Sequence, residues 1–192
     1  MLRKKEAQLS TTRVQGYATQ DEFCRIFAED ENALYLLALL LTVDGSKAEQ
    51  CFVAGLEDSI QGNPVFKEWV RSWSRRMIIK NAIQMVSPSP ARVNGAPHVS
   101  DLQGLPLDLG GSLTAVLLLA PLERFVFVMS VLEGYSLQEC SILLSCTKEE
   151  VAKTRARVLQ NIALVEARQL SQVAPGSDRA SAAHFLQPAQ VA

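Results

Sequence analysis

Residues 118–162 read LLAPLERFVFVMSVLEGYSLQECSILLSCTKEEVAKTRARVLQNI. The pattern predicts three helices in quick succession, the last two joined by a very short turn. Leu122, Phe125, Val126, Met129 and Leu132 recur with the helical period and form one apolar stripe. Glu133-Gly134-Tyr135 interrupts it, with Gly134 where a helix end favours a left-handed residue. Ser136 and Glu139 form S-x-x-E, in which hydroxyl and carboxylate each satisfy an orphan backbone donor. Leu137, Cys140, Leu143 and Leu144 supply the apolar side of that second helix. Thr147 and Glu150 repeat the capping box, and Val151, Val158, Leu159 and Ile162 are expected on the buried face of the third. Only Ser145 and Cys146 separate Leu144 from Thr147. So short a turn makes two helices cross steeply, the helix-turn-helix arrangement whose second member can enter a DNA major groove.

Projected at the helical angle, Lys153 and Arg157 lie opposite the buried face, with Gln160 close by. Lys148 and Arg155 lie nearer its boundary, where long side chains reach outward. This places Lys153, Arg157 and Gln160 against bases or backbone, and Lys148 and Arg155 against phosphates. The plainer alternative is a solvated face of mixed charge on a packed helix. The helix-turn-helix setting favours the DNA reading.

The same stretch resembles region four of the bacterial RNA polymerase sigma factors, sigma-70 family, extracytoplasmic-function group. The matching residues are Leu119-Ala120-Pro121-Leu122-Glu123-Arg124, Val131 to Ser136, Glu139, and Val151 to Leu159. Ser145 stands where that family carries a turn glycine, and Ala152 and Thr154 stand at its early basic pair. The resemblance implies promoter DNA and core RNA polymerase as partners, and an anti-sigma or other regulatory protein as a further one.

Upstream, Thr19 and Glu22 form another capping box, followed by Phe23, Ile26 and Phe27 on one face. Asn32 to Val43 reads as a buried helix, apolar on most sides. Asp44-Gly45 ends it, and Ser46 with Glu49 is expected to cap a third helix carrying Phe52, Val53, Leu56 and Ile60. Gly62-Asn63-Pro64 breaks that helix, and a fourth is expected from about Val65 to Val86. The fourth holds Lys67, Arg71, Arg75, Arg76 and Lys80 against the single acid Glu68, with Trp69 and Trp73 interleaved. Such a helix suits a displaced single strand, so Trp69, Arg71, Trp73, Arg75, Arg76 and Lys80 are candidate contacts. Equally, both tryptophans can be core and the arginines solvated.

This half resembles region two of the same family through Leu41-Thr42-Val43-Asp44, Ala48-Glu49, Phe66, Trp69, Val70, Arg75 and Ile79. The family's acidic and amide side chains that meet the polymerase align with Gln50, Val53 and Ala54. These replacements support a competing reading, a sigma-like adaptor that binds a protein partner without initiating transcription.

The organisation expected is therefore all-α: an arm at 1–18, a helical bundle at 19–86, and a linker at 87–112 dense in Pro and Gly. A helix-turn-helix domain at 113–167 and a polar tail at 168–192 complete it. The chain has 192 residues, 48% of them hydrophobic, enough to bury a real core. Its net charge of −1 confines any DNA contact to local patches. Cys24, Cys51, Cys140 and Cys146 form no C-x-x-C, and His98 and His184 sit in the linker and tail, so neither metal nor other cofactor is expected. No phosphate loop or nucleophile signature appears, so the chain is not expected to be an enzyme. Met1 to Glu6 is basic with no apolar core behind it, and the longest apolar run, Leu34 to Val43, is too short to span a membrane. A cytoplasmic location is expected.

Overall fold

Thr19 caps the first helix in the computed structural model of this chain, which describes residues 16–89 and 111–173. The expected arm up to residue 15, the linker from 90 to 110, the tail beyond 173, His98 and His184 lie outside the described residues. The fold is all-α. In chain order the helices are α1 (Gln20–Glu29), α2 (Glu31–Thr42), α3 (Gly45–Gln61), α4 (Val70–Val86), α5 (Gly111–Leu117), α6 (Pro121–Phe127), α7 (Leu137–Leu144) and α8 (Lys148–Val173).

The local signals explain most boundaries. Glu22 N donates to Thr19 Oγ1 at 3.3 Å and Thr19 N donates to Glu22 Oε2 at 2.8 Å, closing the capping box of α1. The boxes at Ser136 and Glu139 and at Thr147 and Glu150 form in the same way. Pro121 occupies the first turn of α6, where a missing N–H costs nothing.

Three expectations fail for identifiable reasons. The cap of α3 is Asp44, which accepts from Lys47 N at 3.0 Å, rather than Ser46. Val43 takes a left-handed conformation, φ 55°, and ends α2 so abruptly that helical geometry has resumed by Gly45. The fourth helix starts at Val70, not Val65. Ala18 N donates to Val65 O at 2.7 Å and Lys67 N to Gly16 O at 3.1 Å, which holds residues 65 and 66 extended. A 3₁₀ turn, Lys67–Trp69, then leads into α4. Finally, α6 continues as a π-turn, Val128–Leu132, with Glu133 N donating to Val128 O at 2.9 Å. The wider turn rotates Leu132 off the stripe, leaving it 48% exposed, while Phe125 and Met129 stay fully buried.

Within the N-terminal half, α3 and α4 pack closely at Gly55, where a Cβ would stand 2.6 Å from Ile78 Cδ1. A side chain there would have to displace the Ile78 side chain. Leu34, Leu39, Leu41, Ile78 and Ile79 fill this half, and Phe125, Val126, Met129, Val151 and Val158 fill the other. These residues belong to one continuous apolar core. Across the halves α2 packs on α6 and α4 on α7, although the densest packing lies within each half.

A buried cation sits at that junction. Arg124 is 2% exposed and donates to Leu119 O at 2.8 Å through Nη1 and to Leu41 O through Nε and Nη2. The Leu41 carbonyl lies in the last turn of α2, where it lacks an intrahelical donor and the helix dipole is negative, and the Leu119 carbonyl lies in the short connection between α5 and α6. Burial pushes the Arg124 guanidinium down to about 10, which leaves it charged at neutral pH.

Candidate nucleic-acid interface

Two helices of unequal length, α7 and α8, meet through Ser145, Cys146 and Thr147. Ser145 adopts the left-handed conformation, φ 52°, in which Cys146 N can donate to Ser141 O at 3.1 Å. Val151, Thr154 and Val158 turn inward. Thr154 is thus part of the packed stripe and has no surface from which to touch DNA. Leu159, expected to be buried, is 42% exposed, and Ile162 is half-buried.

The outward face of α8 holds Lys153, Arg157 and Gln160, and Lys148 in the first turn is exposed as well. Lys153 pairs with Glu149 at 2.8 Å on the same helix, in open solvent where such a pair contributes little. Arg157 Nε donates to Glu123 Oε1 of α6 at 2.9 Å. Arg155 is half-buried, and its Nε is enclosed without a hydrogen-bond partner. Four of the five candidate residues are therefore exposed, Lys153, Arg157 and Gln160 on one face, and Arg155 is half-buried.

On α4 the candidates divide. Trp69, Trp73, Arg75 and Arg76 line a cleft of about 570 Å³, whose opposite wall is Leu132, Glu133, Gly134, Tyr135 and Glu139 of the C-terminal half. Trp69 is 58% exposed, whereas Trp73 is half-buried with Nε1 enclosed and unpartnered. Arg75 Nε donates to Glu133 Oε2 at 2.5 Å, and its Nη2 donates to Glu133 Oε1, a bidentate pair across 58 positions of sequence. This pairing raises the Arg75 guanidinium further above its ordinary range. Burial raises the Tyr135 hydroxyl, and the positive charge of Arg76 opposes that shift. Arg71 and Lys80 lie outside the cleft. Arg71 pairs with Asp30 and with Glu29, the latter at 2.7 Å, and Lys80 faces Asp58 at 3.8 Å.

The structure adds residues that sequence spacing did not single out. Tyr17 stacks on Phe66 with ring centroids 4.8 Å apart, and Phe66 meets Trp69 edge-on at 5.5 Å. All three rings are exposed, and they extend the aromatic surface beyond Trp69. The ion pairs of Glu123 and Glu133 also escaped notice, because their partners lie 34 and 58 positions away.

Among the described residues no group of three or more His, Cys, Asp or Glu side chains is placed to hold a metal ion. No described helix is long and apolar enough to cross a membrane. No protein-family model and no characterised protein matches the chain by sequence. Among solved structures, the chain is similar to the sigma factor RpoE in its co-crystal with the anti-sigma factor NepR from Bartonella quintana. The two are 18% identical with a TM-score of 0.44, over 76% of this chain and 96% of that one.

Proposed function

We propose that the chain is a sigma-type transcription protein that reads promoter DNA with α8 and associates with core RNA polymerase. The observation that carries this reading is the α7–α8 pair. Two capped helices are joined by three residues, and the longer one carries Lys148, Lys153, Arg157 and Gln160, all exposed. In this reading α7 crosses the phosphate backbone and α8 lies in the major groove as the second member of a helix-turn-helix. Lys153, Arg157 and Gln160 meet base edges or backbone there, with Lys148 and Arg155 on phosphates. Trp69, Trp73, Arg75 and Arg76 supply stacking and cationic contacts for a displaced single strand. The two halves act as separable units joined through residues 87–112, and the protein works in the cytoplasm.

A selection from random duplexes, run with the full chain alone and with core RNA polymerase, tests this. Enrichment of a common sequence in either arm supports it. Enrichment in neither, with no polymerase retained by the chain, rejects it.

The second reading is an adaptor that binds a protein partner, an anti-sigma-type regulator included, without initiating transcription. Val53 favours it, being 54% exposed on α3 at a position where the resemblance implies a polar polymerase contact. Polymerase capture without sequence enrichment is the result expected from that adaptor.

A further inference from the structure

The two cations on the outward face of α8 are held differently. Lys153 pairs with Glu149 one turn away, and the two side chains are 75% and 76% exposed. Arg157 reaches off its own helix. Its Nε donates to Glu123 Oε1 of α6 at 2.9 Å, and the Glu123 side chain is 19% exposed against 60% for Arg157. The acid is the fixed partner. It stands between Leu122, which packs against the core, and Arg124, which is buried and donates to Leu119 O and Leu41 O. Arg157 in turn precedes Val158, fully buried, and follows the buried Thr154 by about one turn. Both ends of this hydrogen bond therefore rise from anchored backbone.

A guanidinium can grip paired acceptors through Nε with one Nη, or through both Nη groups. Glu123 takes Nε, which leaves the Nη1–Nη2 edge at the tip of Arg157 for a ligand. In the major groove guanine presents O6 and N7 as two neighbouring acceptors. Adenine presents one acceptor and one donor there, and neither pyrimidine presents two acceptors.

We propose that Glu123 is a positioning residue for Arg157, fixing the guanidinium so that α8 reads a guanine at one position of its duplex. The proposal rests on the reading of α8 as the DNA-reading helix and adds the base and the residue that selects it. Glu123 acts in two ways. Holding Arg157 before DNA arrives reduces the ordering cost of the contact. The carboxylate also repels phosphates, so it weakens binding to every sequence alike, and only a duplex with guanine at the right place offsets that loss.

The test is a selection from random duplexes on the full chain, alone and bound to core RNA polymerase, followed by competition between the selected duplex and its single-base variants. Wild type should select guanine at one position and bind that duplex roughly tenfold more tightly than one with adenine there. Arg157→Ala should abolish the preference. Glu123→Ala should reduce it to about twofold or less while binding mixed-sequence duplex no more weakly than wild type. Glu123→Gln loses the same charge but keeps an acceptor for Nε, and should retain the preference. In the Arg157→Ala background, Glu123→Ala should change base preference no further. If Glu123→Ala lowers helix content by circular dichroism, Glu123→Asp, shorter by one methylene, replaces it with the same loss required. A guanine preference that is equal in wild type and Glu123→Ala overturns the positioning while leaving the DNA reading intact. Equal loss in Glu123→Gln and Glu123→Ala overturns it as well, by assigning the effect to charge alone. Loss in Arg157→Ala at a position other than a guanine overturns the base assignment. Selection of no sequence by wild type in either arm overturns both the proposal and the reading beneath it.

Discussion

Arg124 and Leu41, 83 positions apart, are joined by two hydrogen bonds from one guanidinium to one carbonyl, at 3.3 and 3.2 Å. The carbonyl belongs to the last turn of α2 and the guanidinium to the first turns of α6. One side chain therefore terminates a helix in the other half of the molecule.

Arg157 and Lys148 should behave differently towards DNA. Arg157→Ala is expected to lose roughly 1–3 kcal/mol of duplex binding and to relax preference at one base position. Lys148→Ala should weaken all sequences alike and reduce the salt slope by about one unit. Salt titration of polymerase-bound wild type and both variants checks this. Identical effects of the two substitutions would remove the base-reading role from Arg157. Because Arg157 also holds Glu123, a Glu123→Ala variant separates the DNA contact from the pair.

Phe125 is fully buried at the centre of the C-terminal core. Phe125→Ala should cost about 3–5 kcal/mol, from lost apolar transfer and the cavity left behind. Urea unfolding measures it, and a loss below about 1 kcal/mol would contradict the burial.

Ser145 holds a left-handed backbone with its side chain exposed. Ser145→Gly should therefore stabilise the chain by roughly 0.5–1 kcal/mol, because glycine reaches that region without the Cβ penalty. A lower urea midpoint in the variant would show that the Ser145 conformation is not strained.

Much of this architecture is legible from neighbouring residues, and the limit is physical. The capping boxes at Thr19, Ser136 and Thr147 are visible in sequence because both partners lie within four residues. The left-handed Val43 is not, since a β-branched residue is a poor candidate for that conformation and only tertiary packing holds it there. Leu132 left its stripe because a π-turn changes the period on which the projection depends. The outward face of α8 was foreseen apart from Leu159. The pairing of Arg71, Arg75 and Arg157 with acids was not, since each ion pair joins segments remote in sequence.

Acid should loosen the chain through its caps. Glu22 is held below its ordinary value of 4.5, chiefly by the Lys67 hydrogen bond and then by Thr19 N. Glu139 and Glu150 are held down chiefly by the backbone donors of Ser136 and Thr147. A depressed carboxyl contributes stability that is complete above its unfolded value and lost as pH falls through its folded one. Stability should therefore decline as pH drops below about 4.5, with a shallower decline in the Glu22→Gln/Glu139→Gln/Glu150→Gln variant. Parallel acid limbs in urea titrations would refute the assignment.

Thiol labelling should be uneven. Burial pushes Cys51 up to about 12 and Cys140 up to about 11, which suppresses the thiolate, while Cys24 is exposed. A brief iodoacetamide pulse at neutral pH, read by peptide mass spectrometry, should modify Cys24 well before the other two. Equal labelling of Cys51 in the folded protein would mean that α3 opens readily.

The π-turn at Val128–Leu132 has a consequence for how this chain tolerates insertions and deletions. A π-turn is an α-helix that has absorbed one additional residue. Removing one residue from it should tighten the backbone to regular α geometry, and the tighter turn offsets the lost residue, so Glu133 keeps its direction. The carboxylate would then still point at Arg75. A single codon deletion here would leave the core residues Phe125 and Val126 in place and preserve the one side-chain ion pair joining the two halves among the described residues.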